Sequence, residues 1–211
     1  MTAMRVGVID YGVGNLRSVA NALIEIGADP CISADPAELA ACPRLILPGV
    51  GAFGEGMRAL QATGLDRLVR DAAAGGTPLL GICLGMQMLV ESSTEFGQWD
   101  GLSILPGQVA RLDDPLAETK QRLPNVGWLP VARTASSAPV ERLFDGIDEV
   151  ARFYFIHSFA VASGSPATIA TARYGQHDFA AVIARGNVIG TQFHPEKSGP
   201  AGLRLLRNFL S

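Results

Sequence analysis

Cys83 stands in the run Gly81-Ile82-Cys83-Leu84-Gly85, where the apolar stretch Pro78 to Ile82 meets a segment able to continue as a helix. A thiol on a strand-to-helix turn sits on a sharp bend, and flanking glycines let strand and helix close around it. The helix N-terminus adds partial positive charge, which favours a thiolate. The Leu84 N–H, one residue on, is placed to stabilise an oxyanion. The chemistry implied is nucleophilic attack on a carbonyl carbon. A lone cysteine is more commonly a small core residue, and the turn alone leaves both readings open. Cys31 and Cys42 have no such context and read as packing residues.

A nucleophile of this kind needs a base. The run Gly190-Thr191-Gln192-Phe193-His194-Pro195-Glu196-Lys197 supplies one. Pro195 keeps His194 extended, and residues two apart in an extended chain share a side. Glu196 can then hold one ring nitrogen of His194, leaving the other to accept the thiol proton. His157 and His177 compete for the role. Neither is followed by an acid at that spacing, although Asp178 adjoins His177. Pro48-Gly49-Val50-Gly51 is a third candidate, a turn whose amides can approach a tetrahedral intermediate; otherwise it is an ordinary connection. Gly12-Val13-Gly14, with Asp35 further on, begins like a dinucleotide fingerprint, but Arg17 stands where the third glycine belongs.

These residues need a scaffold. Met4 to Asp10 reads as a buried parallel strand. Leu16, Val19, Ala20, Leu23 and Ile24 have helical spacing and stop at Gly27. Strands follow near Pro30–Ser33 and Arg44–Leu47, and a helix over Leu65–Ala73. Pro78–Ile82 is a strand leading to a helix over Leu84–Glu91. The alternation predicts a three-layer α/β fold, a mostly parallel central sheet flanked by helices. The C-terminal half reads as antiparallel: short strands at Gln108–Arg111, Phe153–His157, Thr168–Tyr174, Ala180–Arg185 and Val188–Phe193, with a hairpin turn at Ala184-Arg185-Gly186-Asn187. Ser136–Pro139 is a loop too short to link domains, and a helix over Pro200–Leu210 closes the chain. One domain over residues 1–211 is expected.

Composition removes several alternatives. With 17 Lys and Arg against 20 Asp and Glu and no basic run, a nucleic-acid partner is not expected. The longest apolar stretch, Pro78 to Val90, falls short of the ~20 residues that a membrane helix needs. No secretory leader is visible, and three cysteines form no disulfide framework. A reduced cytoplasmic protein without metal or cofactor is expected. The 48% hydrophobic content exceeds what disorder permits.

Taken together, Gly81-Ile82-Cys83-Leu84-Gly85-Met86-Gln87 and the distant His194-Pro195-Glu196 resemble the class I, triad-type glutamine amidotransferases over essentially the whole chain. Pro48 to Met57, Arg122 to Trp128, Phe153 to Ser158 and His194 to Ser198 are similar to the glutaminase subunits of imidazole glycerol phosphate synthases in histidine biosynthesis. The resemblance implies hydrolysis of L-glutamine through a thioester on Cys83, with His194 and Glu196 completing the triad. It implies oxyanion amides from Val50 and Leu84, after a possible flip of the Gly49–Val50 peptide. Glutamine contacts would come from Gly51, Gln87, Glu95 and the backbone at Ser158 and Phe159, where the family often has Thr-Tyr. Lys197, Asn15 and Tyr154 would face a partner or the ammonia path. That partner would be a (β/α)8-barrel cyclase subunit forming a heterodimer. Only fifteen residues follow Glu196, leaving no room for an ammonia-consuming domain. Little glutaminase activity is therefore expected without the partner. Two other classes remain: a cysteine hydrolase or peptidase with the same elbow, which tends to carry His where Leu84 stands, and a non-catalytic nucleotide module at Gly12 and Gly14.

Overall fold

The run Arg-Val-Gly-Val-Ile forms β1 (Arg5–Ile9), followed by α1 (Leu16–Glu25), β2 (Asp29–Ser33), α2 (Pro36–Ala40) and β3 (Leu45–Leu47). Two helices, α3 (Phe53–Ala62) and α4 (Leu65–Ala74), lead to β4 (Leu79–Ile82) and α5 (Leu84–Met88). This is a computed structural model, and it describes residues 3–112, 122–134 and 138–211. The second half contributes β5 (Ser92–Ser93), β6 (Trp99–Asp100), β7 (Gln108–Arg111), β8 (Asn125–Pro130), β9 (Ala132–Arg133) and α6 (Ala138–Leu143). There follow β10 (Arg152–His157), β11 (Phe159–Val161), β12 (Thr168–Tyr174), β13 (His177–Arg185), β14 (Val188–Thr191), a 3-10 turn (Pro195–Lys197) and α7 (Gly199–Leu210). Of the expected loop Ser136–Pro139, Ser136 and Ser137 lie outside the described residues, and Ala138 and Pro139 open α6.

The central sheet has eight strands in the order β2-β1-β3-β4-β14-β13-β12-β9. The five strands from β2 to β14 are mutually parallel, and β13, β12 and β9 continue antiparallel. Successive residues of β3 point to opposite layers. Ile46 joins a cluster with α1, α6 and α7, while Leu45 and Leu47 join one with α2, α3, α4 and α5. Both faces are thus covered, as the alternating first half predicts. The hairpin forms at Gly186-Asn187, with Arg185 paired to Val188.

Three differences from the expected elements matter. Helix α5 stops at Met88 rather than Glu91, because the segment after β6 takes the carbonyls of its last residue and its cap: Leu102 N donates to Met88 O at 2.8 Å and Ile104 N to Leu89 O at 2.9 Å. A four-stranded sheet, β11-β7-β5-β6, and a two-stranded β8–β10 ribbon stand apart from the main sheet. Helix α3, hidden in sequence by Gly54 and Gly56, buries Phe53, Met57 and Leu60.

Candidate active site

Open α/β sheets form their sites outside the carboxyl ends of parallel strands. Here β4 and β14 are parallel neighbours with Ile82 opposite Thr191. That register places Cys83, the residue after β4, beside the chain leaving β14. The Cys83 N–H donates to Thr191 O at 2.7 Å, and Cys83 O accepts from Gln87 N at 3.1 Å. Cys83 adopts φ 54°, ψ −109°, a conformation that costs an L residue on the order of 1–3 kcal/mol and persists only where the surroundings enforce it. The enforcement is visible: a Cβ on Gly85 would lie 1.8 Å from Leu47 O, so no other residue lets the elbow close on β3.

His194 is extended, as Pro195 requires, but Glu196 lies in the 3-10 turn rather than in a continued strand. The turn brings the acid round instead. His194 Nδ1 is 2.8 Å from Glu196 Oε1, and both side chains are almost wholly buried. The His194 main chain is fixed from β10, its N–H donating to Tyr154 O at 2.9 Å. Burial by itself lowers the His194 pKa, but Cys83 and Glu196 favour the imidazolium and carry it up to about 9. Among the described residues His194 Nε2 and Glu196 Oε2 are buried without a hydrogen-bond partner. For Nε2, that is the state expected of a ring nitrogen kept for proton transfer.

Cys83, Leu84, Val50, Gly51, Gln87, Glu95, Ser158, Phe159, His194 and Lys197 all line one cavity of about 300 Å³. Leu84 opens α5, so its N–H has no intrahelical acceptor. Gly51 has φ 100° and Val50 is half-exposed. The turn before them is clamped: Tyr11 Oη donates to Pro48 O at 2.9 Å, and a Cβ on Gly49 would meet Tyr11 Oη at 2.6 Å. Glu95 Oε2 accepts from Phe53 N at 2.7 Å. Burial pushes the Glu95 pKa up, the Phe53 amide restrains it and the Glu55 charge adds to the rise. Both N–H groups of the Gln87 amide are taken, by Phe159 O at 2.9 Å and Gln192 Oε1 at 3.0 Å. Only its oxygen remains for a ligand.

Two expected partner-facing residues lie outside the cavity lining. Asn15 precedes α1, its Oδ1 accepting from Ser18 Oγ at 2.9 Å. Tyr154 sets its ring edge against Trp128 at 5.9 Å. His157 is buried and hydrogen-bonded to Asn125 and Phe159 O. Burial lowers its pKa to about 4, with the His194 charge adding to the fall, which suits a structural imidazole rather than a base. Asp35, needed by the dinucleotide reading, instead caps α2 by accepting from Ala37 N at 2.8 Å. Cys42 is buried; Cys31 is half-buried, with an Arg5 guanidinium nitrogen 3.1 Å from its sulfur. Tyr11 and Gln192 are the site residues that sequence reading missed. Gln192 lies two residues before His194, a proximity that pointed to it, whereas nothing in the sequence marks Tyr11.

A larger cavity of about 420 Å³, lined by Arg44, Arg142, Asn187 and Phe209 among others, holds none of these groups. Among the described residues no helix is long and apolar enough to cross a membrane, and no cluster of His, Cys, Asp and Glu is arranged to hold a metal.

A cysteine on a strained strand-to-helix elbow, with a His–Glu pair delivered by the adjacent parallel strand, defines an acyl-transfer enzyme of the triad type. Residues 7–211 match the family model for glutamine amidotransferase class-I, and the chain belongs to that family. It is 47% identical over 206 residues to imidazole glycerol phosphate synthase subunit HisH of Symbiobacterium thermophilum, covering 97% of this chain and 92% of the relative. It is 44% identical over 207 residues to the HisH subunit of Methanosarcina barkeri, covering 98% of each. Among solved structures, a glutamine amidotransferase aligns with a TM-score of 0.73 at 22% identity, covering 97% of this chain and 96% of that one. The structure of PurLQS from Thermotoga maritima aligns with a TM-score of 0.72 at 19% identity, covering 99% of this chain and 98% of that one. These two likenesses concern the fold.

Proposed function

We propose that the chain is a single glutamine amidotransferase domain acting as the glutaminase subunit of an imidazole glycerol phosphate synthase. The observation that carries the chemistry is the buried His194–Glu196 pair, 2.8 Å apart, with His194 lining the same cavity as Cys83. The near-full-length similarity to HisH subunits supports the pathway.

In this reading the Cys83 thiolate attacks the side-chain amide carbon of L-glutamine. The N–H groups of Leu84 and Val50 hold the developing oxyanion. His194, protonated at neutral pH beside the thiolate, gives its Nε2 proton to the leaving nitrogen, and ammonia departs. A γ-glutamyl thioester remains on Cys83. His194, now neutral, takes a proton from water as the water attacks the thioester, and glutamate leaves with the thiolate restored. Glu196 fixes the tautomer and stabilises each imidazolium. Glu95 faces the cavity with a carboxylate suited to the ammonium group of glutamine, and the Gln87 oxygen is a second acceptor. Gly51, Ser158 and Phe159 complete the glutamine contacts.

The ammonia needs a consumer. The outer face of the β8–β10 ribbon exposes Val126, Trp128 and Ile156 beside half-buried Tyr154. In the antiparallel register Val126 faces Ile156 and Trp128 faces Tyr154, so the four side chains share one face. Ile156, Pro124 and Lys197 also line the cavity. A (β/α)8-barrel cyclase subunit seated on the ribbon, with Asn15 at its edge, would close the mouth and keep ammonia from water. The unpaired thiols suit a reducing cytoplasm.

The decisive experiment compares glutamine-dependent with ammonia-dependent turnover of the chain paired with a cyclase subunit. Cys83→Ala should abolish the first and spare the second. Loss of both, or of neither, rejects the assignment.

A further inference from the structure

Gln192 is fully buried between β14 and His194, and its side chain ends at the Cys83 sulfur: Nε2 lies 3.7 Å from Sγ. Which end of this amide faces the sulfur is decided by a chain of groups that cannot be reversed. Phe159 O can only accept. It lies 2.9 Å from Gln87 Nε2 and 2.9 Å from His157 Nδ1, so both must donate. With its proton on Nδ1, the neutral His157 ring accepts on Nε2 from Asn125 Nδ2 at 3.1 Å. The second N–H of Gln87 then points at Gln192, whose oxygen receives it at 3.0 Å. The amide of Gln192 is thereby left facing sulfur. Flipping it would set two NH2 groups against each other and a carbonyl oxygen against the sulfur, between side chains that are buried.

We propose that Gln192 is a second, non-ionising donor to the Cys83 thiolate, fixing the sulfur while His194 exchanges its proton. The inference rests on Cys83 being the nucleophile and assigns a residue to that site. Its logic lies in the reaction itself. The sulfur is anionic before attack and again as glutamate leaves, and neutral while bonded to carbon in between, so it needs a donor at both ends of the cycle while His194 shuttles its proton. An amide donor does not titrate and stays in place through both half-reactions. The backbones are locked at the same point, with Gln192 N donating to Ala181 O at 2.9 Å and Cys83 N to Thr191 O at 2.7 Å. The titratable groups facing Cys83 are His194 with Glu196 behind it, Tyr11 from the loop after β1, and His157, Glu95 and Lys197 around the cavity. A change at Gln192 leaves all of them unaltered.

The test follows the rate of iodoacetamide alkylation of Cys83 against pH in the full chain, with Cys83→Ala giving the background from Cys31 and Cys42. In Gln192→Met, which keeps length and apolar volume but donates nothing, the midpoint should rise by about one pH unit, with rates below it falling about tenfold. An unchanged profile overturns the proposal. A second measurement needs no variant. In the wild-type chain the side-chain amide resonances of Gln192 should shift with the midpoint that alkylation reports, and should stop titrating once Cys83 is alkylated. Resonances indifferent to both also overturn it. The underlying reading fails separately, through glutamine-dependent turnover that survives Cys83→Ala.

Discussion

His194 and His157 lie within one site and are driven in opposite directions. Both are buried, which disfavours the cation. His194 has Glu196 and Cys83 to offset this and rises to about 9; His157 has only neutral hydrogen-bond partners, with the His194 charge against it, and falls to about 4. Glu196→Gln removes the offsetting charge and lets the ring adopt the wrong tautomer. Glutamine-dependent kcat should fall by about 10² to 10⁴-fold with a smaller change in KM, while ammonia-dependent turnover is kept. His157 gives a different signature. Its folded pKa lies below its ordinary value, so below pH 6.5 the unfolded chain binds a proton that the folded chain refuses. Stability is therefore lost as pH falls from 6.5 towards 4, by about 3 kcal/mol across the window. Urea denaturation at several pH values should show a shallower acid limb in His157→Gln. At this scale the sequence was informative because the elbow and the His-Pro-Glu run are local. Strand alternation alone would set Glu196 beside His194, whereas a 3-10 turn presents it. Gln87 looked like a pure substrate contact, yet its NH2 group serves the protein interior, a fact hidden in pairings between residues far apart in sequence.

The elements show why the elbow tolerates strain. β3, the Pro48–Gly49 turn and α5 are pressed together without room for side chains at their contacts. Gly85→Ala would force its Cβ into Leu47 O, moving backbone rather than a flexible side chain. A loss of about 3 kcal/mol is expected, lowering Tm by about 6–12 °C in calorimetry. A Tm within a degree or two of wild type would show that the contact yields easily. The strongly periodic helices α1 and α4 and the Val- and Ile-rich strands could be read directly from the sequence. The two-residue strands β5 and β6 could not, since so short a run has no period. The early end of α5 was also invisible, because hydrogen bonds from residues 101 to 105 decide it.

For the whole molecule, the exposed ribbon is the feature that the elements themselves leave unexplained. Monomeric surfaces seldom gather large apolar side chains into one patch beside a cavity mouth. Ile156→Asp, on a half-exposed position of β10, should spare the fold and weaken seating of the cyclase subunit. Glutamine-dependent turnover at limiting cyclase should drop at least tenfold, while ammonia-dependent turnover is unchanged. Full glutamine-dependent turnover would remove the ribbon from the interface. Where an expected partner would sit was not legible in the sequence, because Val126, Trp128 and Ile156 form a patch only through the β8–β10 register.

The neighbouring positions of β4 and β14 also set a schedule. β14 is inserted into the middle of the main sheet, between β4 and β13, although the chain reaches it only after residue 187. Contacts across so long a separation form late, because their closure entropy must first be overcome. During synthesis Cys83 emerges with its helix well before His194 and Glu196. Under the proposed triad, a nascent chain lacking β14 should show an unactivated Cys83 thiol, with reactivity arriving only when that strand completes the sheet.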